Sequence, residues 1–249
     1  MKTVLITGCS SGFGLDTARH FLAQGWQVVA TMRTPGADVL PPSERLRVLP
    51  LDVTDPDSIR RAVQAAGPID VLVNNAGFGA ASPIELAPLD VVRRLFETNT
   101  FGTLAVAQAV IPQMRERRSG VIIDVTSSVT LKSLPLVGAY RASKAAANAL
   151  TETMALELAP FGVRVHLVLP GRSPETRFGD NARERMTGFD HPAYAEFASK
   201  VLAQMMDATT PTTRSVDVAQ AVWRAATDAS APLRLPAGAD AVAWAAEAG

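Results

Sequence analysis

The stretch Thr3-Val4-Leu5-Ile6-Thr7-Gly8-Cys9-Ser10-Ser11-Gly12-Phe13-Gly14-Leu15 lies near the start of the chain. Thr3–Thr7 is short, β-branched and nearly all apolar, as a strand buried on both faces is. Three glycines follow it, at Gly8, Gly12 and Gly14, and then a helical pattern over Leu15–Gln24. Glycines at such a turn let the backbone approach a pyrophosphate, and the next helix aims its free N–H groups and positive dipole end at that anion. The spacing is Gly-x3-Gly-x-Gly, not Gly-x-Gly-x-x-Gly, so a glycine-rich turn without a ligand is the competing reading.

The same alternation runs on along the chain. Gln27–Met32, Leu46–Leu49, Ile69–Asn74, Val121–Thr126, Val163–Leu169 and the short Leu233–Leu235 read as strands. Pro56–Ala66, Val91–Arg118, Gly138–Ala159 and Val216–Ala229 read as helices, most of them crossovers between strands. This predicts one doubly wound, Rossmann-type α/β domain over 1–249, with about seven parallel strands and helices on both faces. The alternation breaks at Arg172. From there to Arg214 no strand pattern occurs, and the stretch is too long for an ordinary loop. It reads as a helical lid over a substrate site, its aromatics Phe178, Phe189, Tyr194 and Phe197 closing a small core. The Arg115–Arg118 cluster reads as a solvated helix end favoured by the dipole.

Composition removes several function classes. The chain has 249 residues, with 24 Lys+Arg against 24 Asp+Glu, so its formal charge is zero. A nucleic-acid binder normally carries a basic face, so none is expected as partner. Cys9 is the single cysteine, which rules out an internal disulfide or a cysteine-cluster metal site and suits a cytoplasmic protein. No metal site is expected. No apolar run reaches membrane-spanning length, and the run before Gly8 is too short for a signal peptide. Cys9 itself reads as a small filler beneath the glycine turn, and His20 and His166 as packing residues.

Two further features carry chemistry. No Asp or Glu occurs between Thr17 and Ala37, where a dinucleotide site places an acid on the ribose 2′-hydroxyl. Arg33 stands there, and a guanidinium fork suits a 2′-phosphate. NADP (as NADPH) is therefore favoured over NAD; a merely solvated Arg33 is the alternative. Tyr140 and Lys144 are four residues apart in a helical pattern, so phenol and ammonium share a face. A neighbouring cation favours phenolate, which predicts a Tyr140 pKa lowered toward neutrality and a role as acid or base. Ser127 at the end of the fifth strand, Asn99 opening a helix, and the turn Asn74-Asn75-Ala76-Gly77 all fall where the strands' carboxyl ends face a crevice.

With these residues together, the chain resembles the short-chain dehydrogenase/reductase family over essentially its whole length. The resemblance rests on TGCSSGFG at 7–14, Asp52 after the third strand, NNAG at 74–77, Asn99, Ser127 thirteen residues before Tyr140, YRASK at 140–144, and Pro170-Gly171. It implies an oxidoreductase that interconverts a ketone or aldehyde and an alcohol by hydride transfer. Tyr140 would be the general acid/base, Lys144 would lower its pKa and hold the nicotinamide ribose, and Ser127, rather than Ser128, would bond the substrate oxygen. Asn99 would hold a water leading to a proton relay. The cofactor would lie along Gly8, Ser10, Ser11, Gly12, Phe13, Gly14, Arg33, Asp52, Val53, Asn75, Ala76, Gly77, Tyr140, Lys144, Pro170 and Gly171. Thr176 stands one residue later than the threonine that follows Pro-Gly in the family. The Met-containing lid points to an apolar small-molecule substrate, and the resemblance points to a homodimer or homotetramer. The alternative is a catalytically silent NADP-binding sensor of the same fold, against which the intact Asn99, Ser127, Tyr140 and Lys144 count.

Overall fold

A computed structural model describes residues 1–36, 40–183, 185–205, 207 and 209–248. Seven parallel strands form one sheet: β1 (Thr3–Ile6), β2 (Gln27–Met32), β3 (Leu46–Pro50), β4 (Val71–Asn74), β5 (Gly120–Val125), β6 (Val163–Pro170) and β7 (Arg234–Ala237). Their order is β3-β2-β1-β4-β5-β6-β7, and the register pairs Leu5 with Val29 on one side and Leu72 on the other. The doubly wound expectation is met. The chain steps outward from β1 to β3, then returns to β4 beside β1 and steps the other way. That reversal opens a crevice at the carboxyl ends of β1 and β4.

Period-two alternation decides which side chain meets which layer. Val4, Ile6, Val28, Ala30, Val71, Val73, Val121 and Ile123 enter one core, with Phe21 and Ala18 of α1 (Gly12–Ala23) and Val218, Val222 and Ala225 of α8 (Ser215–Thr227). Phe21, Trp26 and Trp223 meet edge to face there, with ring centroids 5.1–5.6 Å apart. Leu5, Val29, Leu72 and Ile122 enter the opposite core. It is covered by α2 (Pro56–Ala66), α4 (Thr103–Arg117) and α5 (Gly138–Leu158). Asp55 caps α2 by accepting from the Asp57 N–H at 2.9 Å, and Pro56 stands in its first turn, which is why this helix begins where the sequence says.

Two elements differ from the sequence reading. The predicted helix Val91–Arg118 is α3 (Leu89–Phe96), a wide π-type turn over Glu97–Gly102, and α4. A further helix, α9 (Ala239–Ala248), follows β7 and was not read from the sequence. At the end of α4, Arg117 donates to the Ile69 carbonyl at 2.6 Å and Arg118 to the Pro160 carbonyl at 2.6 Å. The cluster is exposed, as read, and two of its arginines also tie the helix end to neighbouring loops.

The segment 172–214 contains α6 (Phe178–Arg183) and α7 (Ala195–Met205). Phe189 and Met205 pack with Ala198, Val201 and Leu136 into a small core of their own, as expected of Phe189. Phe178 and Phe197 remain partly exposed. Tyr194 donates to Glu85 Oε2 at 2.5 Å. Among the described residues no helix is long and apolar enough to cross a membrane.

Candidate active site

The glycine turn is shaped by close approach. Gly8 and Gly12 have φ of +74° and +58°, a region that disfavours side chains. A Cβ on Gly8 would stand 2.8 Å from the Ala76 Cα, and one on Gly14 would run into the Asn75 amide and the Gly8 carbonyl. Thr7 Oγ1 accepts from the N–H groups of Asn75 and Ala76 at 2.9 and 3.0 Å, and Asn75 Nδ2 donates to the Thr7 and Gly8 carbonyls at 3.0 and 3.2 Å. Asn75 thus uses its side chain to hold the glycine loop, and Ala76 lies beneath it. Cys9 is buried below the turn, its thiol on the Ile6 carbonyl. Burial pushes that thiol up to about 12, the behaviour of a filler and not of a nucleophile.

Ser11 precedes α1 with extended backbone and makes no side-chain cap, and no acid stands in the first turn. The first N–H groups of the helix therefore face outward without an internal acceptor, the condition for holding an anion. Thr176 lies over Gly12, at 3.4 Å from where a Cβ would stand, and is itself buried. Ser10 is exposed, and Ser11 and Phe13 are half-buried. The cradle fits a dinucleotide pyrophosphate.

Arg33 is exposed just past β2 and acts electrostatically on Asp52. Asp52 accepts from the Thr54 N–H and hydroxyl at 2.9 and 2.7 Å, and the backbone bond above all holds its carboxyl below the usual range. Val53 is buried beneath Gly102, where a Cβ would stand 2.8 Å from its Cγ2. Pro170 ends β6. The Gly171 N–H donates to Thr213 Oγ1 at 2.9 Å, the Arg172 N–H to Asp240 Oδ2 at 2.6 Å, and Thr213 Oγ1 to Asp240 Oδ1 at 2.7 Å. Thr213 and Asp240 were not singled out from the sequence. The only available signal was an acid in the first turn of a helix that itself went unread.

Asn99 does not open a helix; it sits inside the π-type turn, fully buried. Its Oδ1 accepts from the Phe78 N–H at 3.1 Å, and its Nδ2 donates to the Phe78 carbonyl at 3.0 Å and to Ser143 Oγ at 3.0 Å. The widened turn lets one amide grip both the loop after β4 and the helix α5. Positions for a Cβ on Gly77 fall 2.9 Å from Asn99 Oδ1 and 3.2 Å from Lys144 Nζ, so these two side chains converge on that glycine.

On α5, Tyr140 and Lys144 are both buried. Ser127 Oγ interacts with the Tyr140 phenol and accepts from the Val129 N–H at 3.3 Å. Ser128 Oγ is enclosed and, among the described residues, without a hydrogen-bond partner. Lys144 Nζ donates to the Val125 carbonyl at 3.1 Å. The expected lowering of the Tyr140 pKa is not what this arrangement produces. Burial strips water from the phenolate and pushes it up to about 12, with the Ser127 bond opposing. Burial likewise lowers Lys144 to about 8, opposed by Asp124. Desolvation outweighs the sequence proximity of the pair. The Phe178 ring lies 5.7 Å from the Tyr140 ring. His166 sits in β6 with Nδ1 on the Pro232 carbonyl at 2.9 Å, and His20 packs edge-on to Trp223; both stand where packing residues do.

Residues 2–187 match the family model described as short chain dehydrogenase. A 3-ketodihydrosphingosine reductase of Bacteroides thetaiotaomicron is 41% identical over 184 residues, which is 72% of this chain and 66% of that protein. The chain thus spans a little under two thirds of the length of that relative. A short-chain dehydrogenase from Streptomyces avermitilis superposes with a TM-score of 0.84 at 34% identity, covering 99% of this chain and 91% of the other. The closed form of serine dehydrogenase complexed with NADP+ superposes with a TM-score of 0.81 at 26% identity, covering 96% and 95%.

Proposed function

The chain belongs to the short-chain dehydrogenase/reductase family, and on that premise we propose that it interconverts a ketone or aldehyde and the matching alcohol, with NADP as its coenzyme. The observation that carries this reading is the meeting of Ser127, Tyr140 and Lys144, braced by Asn99, beside a glycine cradle whose helix N-terminus has no internal acceptor. NADPH, when bound, supplies the hydride. The chain's own residues handle position and proton. Ser127 and Tyr140 bond the substrate oxygen, and Tyr140 gives that oxygen its proton in reduction and takes it back in oxidation. Lys144 stabilises the phenolate left behind and holds the ribose. Gly8, Gly12 and Gly14 leave the backbone open to the pyrophosphate, and Arg33 meets the 2′-phosphate.

The choice of NADP draws support from Arg33 and from the NADP+ complex of the serine dehydrogenase neighbour. An apolar substrate draws support from Phe178 over Tyr140, and the Bacteroides relative carries the name of a keto-group reductase. We place the protein in the cytoplasm and assign it a two-fold assembly through α4 and α5. The test is the loss of NADPH absorbance on mixing with a panel of aliphatic, cyclic and aromatic ketones. Turnover of at least one ketone, with NADPH preferred to NADH, is expected. NADPH binding with every ketone and alcohol left unchanged would replace this reading with that of a silent binding protein.

A further inference from the structure

Asp124 is a buried carboxylate that the reading above does not use. It lies on β5, in register with Asn74 of β4 and Leu167 of β6, and is 1% exposed. Burying a carboxylate is costly unless it is hydrogen-bonded or paired. Here Oδ1 accepts from Asn74 Nδ2 at 2.9 Å and Oδ2 from the Thr151 hydroxyl at 2.7 Å. Thr151 stands on α5 seven residues beyond Lys144, two turns along the same helix face. The next residue of β5 is Val125, whose carbonyl takes the Lys144 ammonium. The carboxylate and the ammonium are thus enclosed between the same strand and the same helix.

From this geometry we infer that Asp124 is a positioning residue, a fixed counter-charge that keeps Lys144 an ammonium at the pH where the site works. Among the described residues no other charged group acts on the pair. Lys144 Nζ meets the Val125 carbonyl of β5 and, beside Asn99 Oδ1, the backbone of Gly77 from the loop after β4, and the charge that acts on it is Asp124 from β5. Asp124 faces the neutral Asn74, the hydroxyl of Thr151 and Lys144. Burial pushes the Asp124 carboxyl up to about 6 and lowers Lys144 to about 8, so both are charged between those limits. Without the carboxylate, the hydrogen bond to the Val125 carbonyl is left to oppose the desolvation of Lys144 without a counter-charge. The amine then loses its proton at lower pH and no longer favours the Tyr140 phenolate.

The chain has four lysines, Lys2, Lys132, Lys144 and Lys200, so a protein labelled with 13C-lysine gives few Cε resonances to follow against pH. The Lys144 resonance is the one missing from Lys144→Arg. In Asp124→Asn its midpoint is expected about one pH unit or more below wild type, and the alkaline limb of ketone reduction moves down with it. Thr151→Val removes a hydrogen bond and keeps the charge, so its midpoint stays with wild type. The wild-type curve holds a second check that needs no variant: Lys144 senses the ionisation of Asp124 as an inflection near pH 6. An unchanged midpoint in Asp124→Asn, or a wild-type curve without that inflection, overturns the inference. The inference rests on the proposed function only for its effect on turnover. Absence of ketone reduction in wild type would sink that function and leave the titration standing.

Discussion

Tyr140 shows what spacing conveys and what it does not. Its four-residue interval to Lys144 is legible in the sequence, as is the serine thirteen residues earlier. The burial of all three is not, and burial is what raises the phenol and lowers the amine. Burial keeps that phenol protonated at neutral pH, the form ketone reduction uses, whereas oxidation uses the phenolate; oxidation is therefore expected to gain on reduction as pH rises, read from initial rates in both directions. Tyr140→Phe keeps the ring and loses the oxygen; turnover should fall by roughly 10²–10⁴-fold, with NADPH fluorescence on binding unchanged. Near-normal turnover in that variant would remove Tyr140 from the mechanism. At the other end of the cofactor, Arg33→Asp exchanges a phosphate partner for a ribose acceptor. It should raise the KM for NADPH and lower that for NADH. A wild type that already prefers NADH would refute the role of Arg33.

At the scale of elements, legibility followed local signals. The helix Pro56–Ala66 was readable to the residue because Asp55 and Pro56 mark its start. The inner strands β1, β2, β4 and β5 were readable because both of their faces are buried and largely apolar. The π-type turn around Asn99 was not readable, since its cause lies elsewhere in the chain: the backbone of Phe78 and the hydroxyl of Ser143. The helix α9 escaped because its alanine-rich sequence carries little of the apolar periodicity that marks a helix. The segment 172–214 is anchored at its root by Thr213 and Asp240, and at its middle by Tyr194 on Glu85. We expect hydrogen exchange to be slowed in this segment by NADPH and substrate together, as in segments that close over a site. Strong protection already present without ligand would show a permanently packed insert. Phe178→Ala should raise the KM for bulky apolar ketones more than that for small ones, measured on the same panel.

The whole molecule adds two consequences. α4 and α5 lie side by side on one face of the sheet. α5 is rich in alanine and leaves Leu156 79% exposed, a residue suited to meeting a second copy across a two-fold axis. Sedimentation at micromolar concentration is expected to show a dimer or tetramer; a monomer would refute this. The second consequence concerns stability and pH. The folded-state pKa of Asp124 is raised to about 6 from 3.8, so its favourable contribution is whole below the unfolded value and is lost as pH rises through about 6. Thermal unfolding followed from pH 4 to 7 should show that decline in wild type and a flatter profile in Asp124→Asn. Elsewhere in the core, Phe21→Ala removes the centre of the Trp26 and Trp223 cluster and should cost about 3–5 kcal/mol, read from denaturant midpoints.

The carboxylate of Asp240 takes the Arg172 N–H and the Thr213 hydroxyl, so both ends of the 172–214 segment hang on one side chain. A group 68 residues further along the chain thus sets where that segment leaves and rejoins the sheet edge. Extensions or deletions engineered near residue 240 are expected to loosen both ends together.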